Sequence, residues 1–330
     1  MTRTERAGLA FAFAEILAVG LVPAFSKFAV TRIDPLLYSA SAVCVAAAVS
    51  TGLAWGHGDL RQVFRPAVVP RLVLIALLGT TATTLLLFFG ARLTDGVSAA
   101  LLLQAEPVYS AALAWLIWRR PLPPRQAAGT ALLIAGVALV LYNGAVTVGL
   151  GGLLILMVPL GWQLSHVLAL GVMPPMSPRA LTAARYIYGG AGLVVIQCAL
   201  GGESIASLGW RGVGMSVFHG VVLFFCGTLF WYETIRRIDL ARATAIVTPC
   251  EPVLSVALVW ALLGGLPTGW QALGLALMVP GMLLVVGISF RRGRRTASAS
   301  PARDAPGTPP DRGSETAVPP GSAGNRGQGR

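Results

Sequence analysis

At 330 residues, 55% hydrophobic and 12% charged, with a mean hydropathy of +0.73, the chain carries about half the charge of a soluble domain, where roughly 25% is usual. That balance argues against a soluble Rossmann-type or barrel enzyme and for an integral membrane protein. The formal charge of +12 comes from 24 Arg and one Lys placed mostly in loops and the C-terminal tail. It does not make a nucleic-acid-binding face.

A bilayer-spanning helix needs about 20 mostly apolar residues. Runs of that kind are predicted at 7–30, 36–55, 70–91, 96–118, 124–142, 149–170, 179–199, 212–234, 240–262 and 268–289. A lone run in lipid must satisfy its own backbone, so these are helices, not strands. Pro35, Pro66, Pro121, Pro124, Pro178 and Pro267 punctuate the joins. The run from Ala7 to Val30 is too long for a signal-peptide core and has no small-residue cleavage site, so it reads as a retained first span. Cys44, Cys198, Cys226 and Cys250 all fall inside apolar runs. No CxxC or Cys/His cluster occurs, and the four read as core residues, not as a disulfide framework or a metal site. Residues 291–330 change to Arg, Ser, Pro and Gly, the composition of a disordered basic tail.

Loop charge predicts the orientation. With the N-terminus in the cytoplasm, Arg3, Arg6, Arg61, Arg65, Arg71, Arg119, Arg120, Arg125, Arg179, Arg236, Arg237, Arg242 and the tail arginines lie inside. Only Arg32, Arg92 and Arg211 lie outside. The asymmetry favours two cytoplasmic termini and an even number of spans.

The chain repeats itself. A shift of 145 residues places Glu106-Pro107-Val108 on Glu251-Pro252-Val253, Gln126-Ala127 on Gln271-Ala272, Gly129 on Gly274 and Gly136 on Gly281. Five spans per half would make the second copy insert upside down. The turn after the fourth run holds three arginines and its copy after the ninth holds none, as inversion requires. Inverted repeats place a transporter's site near the midplane between the halves.

These features resemble the EamA-like family of the drug/metabolite transporter superfamily. The resemblance rests on ten spans in two five-span repeats, on the segment from Gln104-Ala105-Glu106-Pro107 to Trp115, and on Gln126-Ala127-Ala128-Gly129. It covers residues 7–290 and implies an all-α polytopic protein of the bacterial inner membrane that exports or imports small metabolites, often amino acids, with the outward direction expected here resting on the resemblance alone. Three places depart from the family pattern. Arg119-Arg120 and Gly264-Gly265 stand where Gly-Glu is usual, and the usual span-2 arginine has its equivalent at Arg185 in the seventh run.

An ionisable group inside a span costs about 2.5–3.5 kcal/mol at the helix centre, so each one needs a reason. Glu106 and Glu251 occupy the same repeat position, and each precedes a helix-breaking proline, Pro107 or Pro252. Proline removes a backbone donor and opens polar backbone beside the carboxylate. The pair is expected to bind a proton or a substrate ammonium, or else to hold packing through helix hydrogen bonds. Lys27, after Pro23, is expected to meet a substrate carboxylate or to snorkel. Arg185 is read as an anion clamp or an interfacial arginine, and His166 as a proton relay or a core histidine. Glu15 is a further mid-span candidate. Gln104, Tyr109, Trp162 and Gln163 would shape a pocket, and Tyr38, Trp115 and Tyr186 are further candidates. His219 has no evident partner. There is no GxxxxGK[ST] phosphate loop, no HExxH and no G-x-S-x-G elbow. No cofactor or metal is expected and no enzymatic role is predicted. The expected partners are the lipid bilayer, a small molecule and a proton. A lipid or drug flippase is the alternative within transport. A non-transporting membrane partner and a membrane enzyme are the alternatives outside it.

Overall fold

The computed structural model describes residues 3–119, 121–144, 149–172, 176–238 and 240–297. The connection at 145–148, Arg120 and the tail from 298 lie outside the described residues. Regular structure among those described is helical throughout. The helices, taken as continuous rods, are α1 (Arg3–Val30), α2 (Pro35–Gly56), α3 (Val69–Leu93), α4 (Gly96–Ile117), α5 (Pro124–Tyr142), α6 (Leu150–Ala169), α7 (Pro178–Ala199), α8 (209–237), α9 (Leu240–Leu263) and α10 (Gly269–Ala297). Each matches one predicted run to within a few residues, except that α10 extends through the first tail arginines.

Seven of these, α1 to α6 and the segment Ile205–Trp231 around α8, are long and apolar enough to cross a membrane. In α9 and α10 the apolar stretches Val247–Leu263 and Gly269–Val285 are shorter. α7 carries Arg179 and Arg185 within its 22 residues. Large apolar side chains such as Phe13, Val195 and Leu283 face outward, as lipid contact demands.

Local chemistry sets the joins. The Asp34 carboxylate accepts the Leu36 and Leu37 N–H groups and starts α2, with Pro35 at a position where no donor is needed. Asp95 caps α4 through the Ser98 N–H at 2.8 Å, and Ser177 caps α7 through the Ala180 N–H at 3.1 Å. Two rods change winding at matching places. α3 is a π-helix over Leu77–Ala82 and α8 over His219–Cys226. α4 tightens to a 3₁₀ turn at Leu103–Ala105 and restarts at Glu106, where Pro107 fits the first turn of the new segment.

α5 packs along α10, α2 along α7, α1 against α8 and α9, and α3 against α6. The α5–α10 contact is backbone against backbone. A Cβ on Gly129 would stand 2.7 Å from the Gly281 carbonyl oxygen, and one on Gly136 would stand 2.8 Å from that of Gly274. The largest apolar cluster gathers Phe88, Leu101 and Leu102 with Val22, Ile155 and Met278 between these helices.

Candidate functional site

Counting along the helices sets the depth of the acidic groups. Glu15 lies twelve residues into α1, Glu106 ten into α4 and Glu251 eleven into α9. At 1.5 Å per residue, each is about 15–18 Å from its helix end, near mid-height. The three carboxylates lie within electrostatic reach of one another, so Glu15, which repeat logic left apart, joins the other two in space. Glu15 is 5% exposed and its Oε2 has no hydrogen-bond partner among the described residues. Glu106 and Glu251 are half-buried. The Glu106 Oε1 accepts a 2.5 Å hydrogen bond from the Gln163 Nε2 of α6.

The backbone around the acids is open on the same level. Pro107 and Pro252 each lack the N–H that would bond the carbonyl four residues back, at Leu103 and Thr248. In α4 the 3₁₀ turn absorbs this, whereas α9 runs unbroken through Pro249 and Pro252. Pro23 lies inside α1 in the same way, above Glu15. Gln104 is buried in the 3₁₀ turn. Tyr109 is half-buried and donates to the Leu156 carbonyl of α6 at 3.0 Å, and half-buried Trp162 packs on the main apolar cluster.

One turn further along α6, His166 is exposed and lies within electrostatic reach of Arg185. Arg185, half-buried on α7, donates from Nη2 to the Gly79 carbonyl in the π-segment of α3 at 3.1 Å. A π-turn displaces carbonyls from the ordinary ladder, and such turns recur at functional sites.

Lys27 belongs elsewhere. Its Nζ donates to the Arg92 carbonyl at 3.1 Å, in the last turn of α3, and it lies within electrostatic reach of Asp95. A cation at a helix C-terminus complements the dipole there. This end of the bundle also holds a pocket of about 230 Å³ lined by Thr31, Arg32, Asp34, Arg92, Glu203 and Ser207. Beside it, Gln271 of α10 donates to the Asp95 Oδ1 at 3.1 Å and to the Ser98 Oγ at 2.9 Å.

Among the aromatic candidates, Trp115 is 56% exposed. Tyr186 is buried and donates to the Phe224 carbonyl at 3.0 Å. Tyr38 is fully buried, with its hydroxyl 3.1 Å from the His219 Nδ1, and His219 stacks edge-on against Phe88 and Phe224. Sequence reasoning left His219 without a partner because Tyr38 lies 181 residues away.

The EamA-like transporter family model matches the chain twice, over residues 6–142 and 149–287. The chain belongs to the EamA-like transporter family. It is a multi-pass membrane transporter. It is 25% identical over 227 residues to the uncharacterized transporter YyaM of Bacillus subtilis (strain 168), a match spanning 66% of this chain and 72% of that protein. A solved crystal structure superimposes with a TM-score of 0.63 at 18% identity, covering 87% of this chain and 99% of the other. That likeness concerns the fold.

Proposed function

We propose that this protein is a proton-coupled secondary transporter of the plasma membrane that exports a small amino-acid-like metabolite by alternating access. In this reading it has ten spans in two inverted repeats, 7–142 and 149–290, joined at 143–148, with both termini cytoplasmic and a basic tail from 291. The glycine contacts support the repeat. The offset of 145 relates Gly129 to Gly274 and Gly136 to Gly281, whereas contact pairs Gly129 with Gly281 and Gly136 with Gly274. Such reciprocal pairing is what a two-fold relation between the halves produces. The matching π-segments of α3 and α8 and the double family match agree with it. Loop arginines support the orientation.

The observation that carries the function is the gathering of Glu15, Glu106 and Glu251 from three helices at mid-height, with one buried carboxylate oxygen unpaired. Three neighbouring carboxylates repel unless protons or a cation neutralise them. A site that holds either a proton or a cargo ammonium, and exchanges one for the other as it changes face, couples the two flows. Gln163 orients Glu106 for that exchange. Cationic-drug efflux is the second reading, favoured by Lys27 being engaged at the helix end by the Arg92 carbonyl.

The test is growth protection. Wild type and Glu106→Gln are expressed at matched membrane levels in a sensitive bacterial host and challenged with inhibitory amino acids, their analogues and cationic drugs. Protection by the wild type alone is the expected result. Equal protection by both would reduce Glu106 to a packing role, and protection against cationic drugs only would select the second reading.

A further inference from the structure

We propose that the α2–α3 connection builds a site for an anionic phospholipid of the cytoplasmic leaflet, with the headgroup phosphate on Arg61 and the acyl chains against Trp55 and Phe64. The proposal goes beyond the transport reading. It uses the orientation given there, but neither the cargo nor the coupling.

The site is a cleft of about 530 Å³ at the end of α2, lined by Trp55, Gly58, Leu60, Arg61 and Phe64. The loop that forms it is fixed in place. Gly58 turns the chain out of α2 with a φ of +72°, and no atom lies near its Cβ position, so the backbone angle is what calls for glycine. The 3₁₀ turn Asp59–Gln62 follows. α7 then holds the loop at three points. The Ser177 N–H donates to the Gln62 Oε1 at 2.8 Å, Arg179 pairs with Asp59 at 3.1 Å, and the Tyr188 hydroxyl donates to the Val63 carbonyl at 3.0 Å. Val63 is fully buried, whereas Trp55 is 74% and Phe64 55% exposed, and Arg61 is exposed between them in sequence. Aromatic rings and an arginine at a span's end suit the boundary between acyl chains and headgroups.

Charge selects the headgroup. Asp59 is the one acid in the connection 57–68, and Arg179 takes it. Among the described residues no carboxylate pairs with Arg61 or with Arg65, which follows Phe64 directly. A guanidinium binds a phosphate through a fork of two N–H groups. Free phosphate would use the fork and leave the apolar walls wet, whereas a phospholipid uses both. A zwitterionic headgroup brings its own cation to the arginine, and an anionic one does not.

Topology asks only for arginines somewhere on the cytoplasmic side. It does not ask for a pinned aromatic cleft around one of them. The repeat supplies the comparison. At the offset of 143 that relates Pro35 to Pro178, Gly58 falls on Gly201, which also takes a positive φ, +61°. Trp55, Leu60, Arg61 and Phe64 fall on Cys198, Glu203, Ser204 and Ser207. The glycine turn is made at the other end without any of the lining side chains, so the turn itself does not require them.

The test is native mass spectrometry of the full chain released from detergent. It is titrated with phosphatidylglycerol and with phosphatidylcholine of the same acyl chains, and glycerol 3-phosphate is the competitor. Phosphatidylglycerol is expected to bind at least about fivefold more tightly than phosphatidylcholine, the scale of one arginine's attraction to an anionic lipid surface. Arg61→Gln should bring phosphatidylglycerol down to the phosphatidylcholine level, and Arg61→Lys should recover part of the loss. Trp55→Ala should weaken both lipids. Arg211→Gln, at the opposite end, should change nothing. Unchanged melting temperatures in detergent show that the variants are folded, and if Arg61→Gln is not, the wild-type comparison of the two lipids and Trp55→Ala decide. Equal binding of the two lipids, full phosphatidylglycerol affinity in Arg61→Gln, or displacement by glycerol 3-phosphate at equal concentration would each overturn the proposal, the last in favour of a soluble phosphate. A dimer abolished by Trp55→Ala would also overturn it and assign the cleft to a second copy of the chain. Each of these results leaves the transport reading standing, since growth protection is read separately.

Discussion

Gly136 of α5 and Gly274 of α10 touch through their backbones: a Cβ built on either would lie within 2.9 Å of the other's carbonyl oxygen. Contacts this close let main chains approach where lipid supplies no hydrophobic drive between helices. Replacing Gly274 by Leu should destabilise the fold by about 1–3 kcal/mol or more, because neither backbone can give way. The loss is read as a fall in the monodisperse fraction and in melting temperature in detergent. Gly52, with nothing near its Cβ position, is the control, and its Ala variant should melt as the wild type does.

Gln271 bridges the start of α4 to α10, and its side chain is 2% exposed. Gln271→Leu keeps the bulk but leaves Asp95 and Ser98 short of a donor, at a cost of about 1–3 kcal/mol. Asp95→Asn retains an acceptor oxygen and should cost less than Asp95→Ala, which also loses the cap of α4. Thermal unfolding of the three variants orders them.

Gln163 holds Glu106 from across the helix interface. Gln163→Leu should slow transport by tenfold or more while shifting the melting temperature little, because leucine keeps the bulk of the side chain at a half-buried position. A counterflow assay in proteoliposomes at matched protein content separates the two effects. A loss of fold equal to the loss of transport would assign Gln163 to packing.

At the end that carries α1's start, Arg179 of α7 pairs with Asp59 at 3.1 Å in the α2–α3 connection. Burial pushes the Asp59 carboxyl up, but the hydrogen bond with Ser177 and the Arg179 guanidinium bring it below its ordinary 3.8. A carboxyl lowered by folding stabilises the fold above its unfolded value and loses that contribution as pH falls through the folded one. The pair is solvated, so Arg179→Gln should cost no more than about 1 kcal/mol at pH 7. The gap between variant and wild type should shrink with salt and close below pH 4 in denaturant titrations.

The helices were legible because apolar length is a strong signal in a chain so poor in charge, and the observed rods fall within a few residues of the predicted runs. Glu106 and Glu251 were legible through their shared Glu-Pro-Val. Glu15 was legible only as an oddity. It lacks a repeat mate, and only folding brings α1 beside α4 and α9. Lys27 was read as meeting a substrate carboxylate or snorkelling, and its bond to the Arg92 carbonyl at a helix end is a contact that nothing within its own run announces. The π-segments were not legible. Leu77–Ala82 and His219–Cys226 share no composition that sets them off from ordinary apolar helix, and a wide turn is chosen by packing.

Those two wide turns also bear on how the halves drifted apart. The offset between the copies is 143 residues at Pro35 and Pro178, before the turns, and 145 at Arg92 and Arg237, after them. The π-segment of α3 has six residues and that of α8 has eight, which matches the two-residue change. A helix built of uniform α turns would rotate everything beyond an added residue by about 100°, carrying a residue such as Phe88 out of register. A stretch already wound loosely can take up the addition locally. Length polymorphism among relatives should therefore collect at 77–82 and 219–226 more readily than elsewhere within a span.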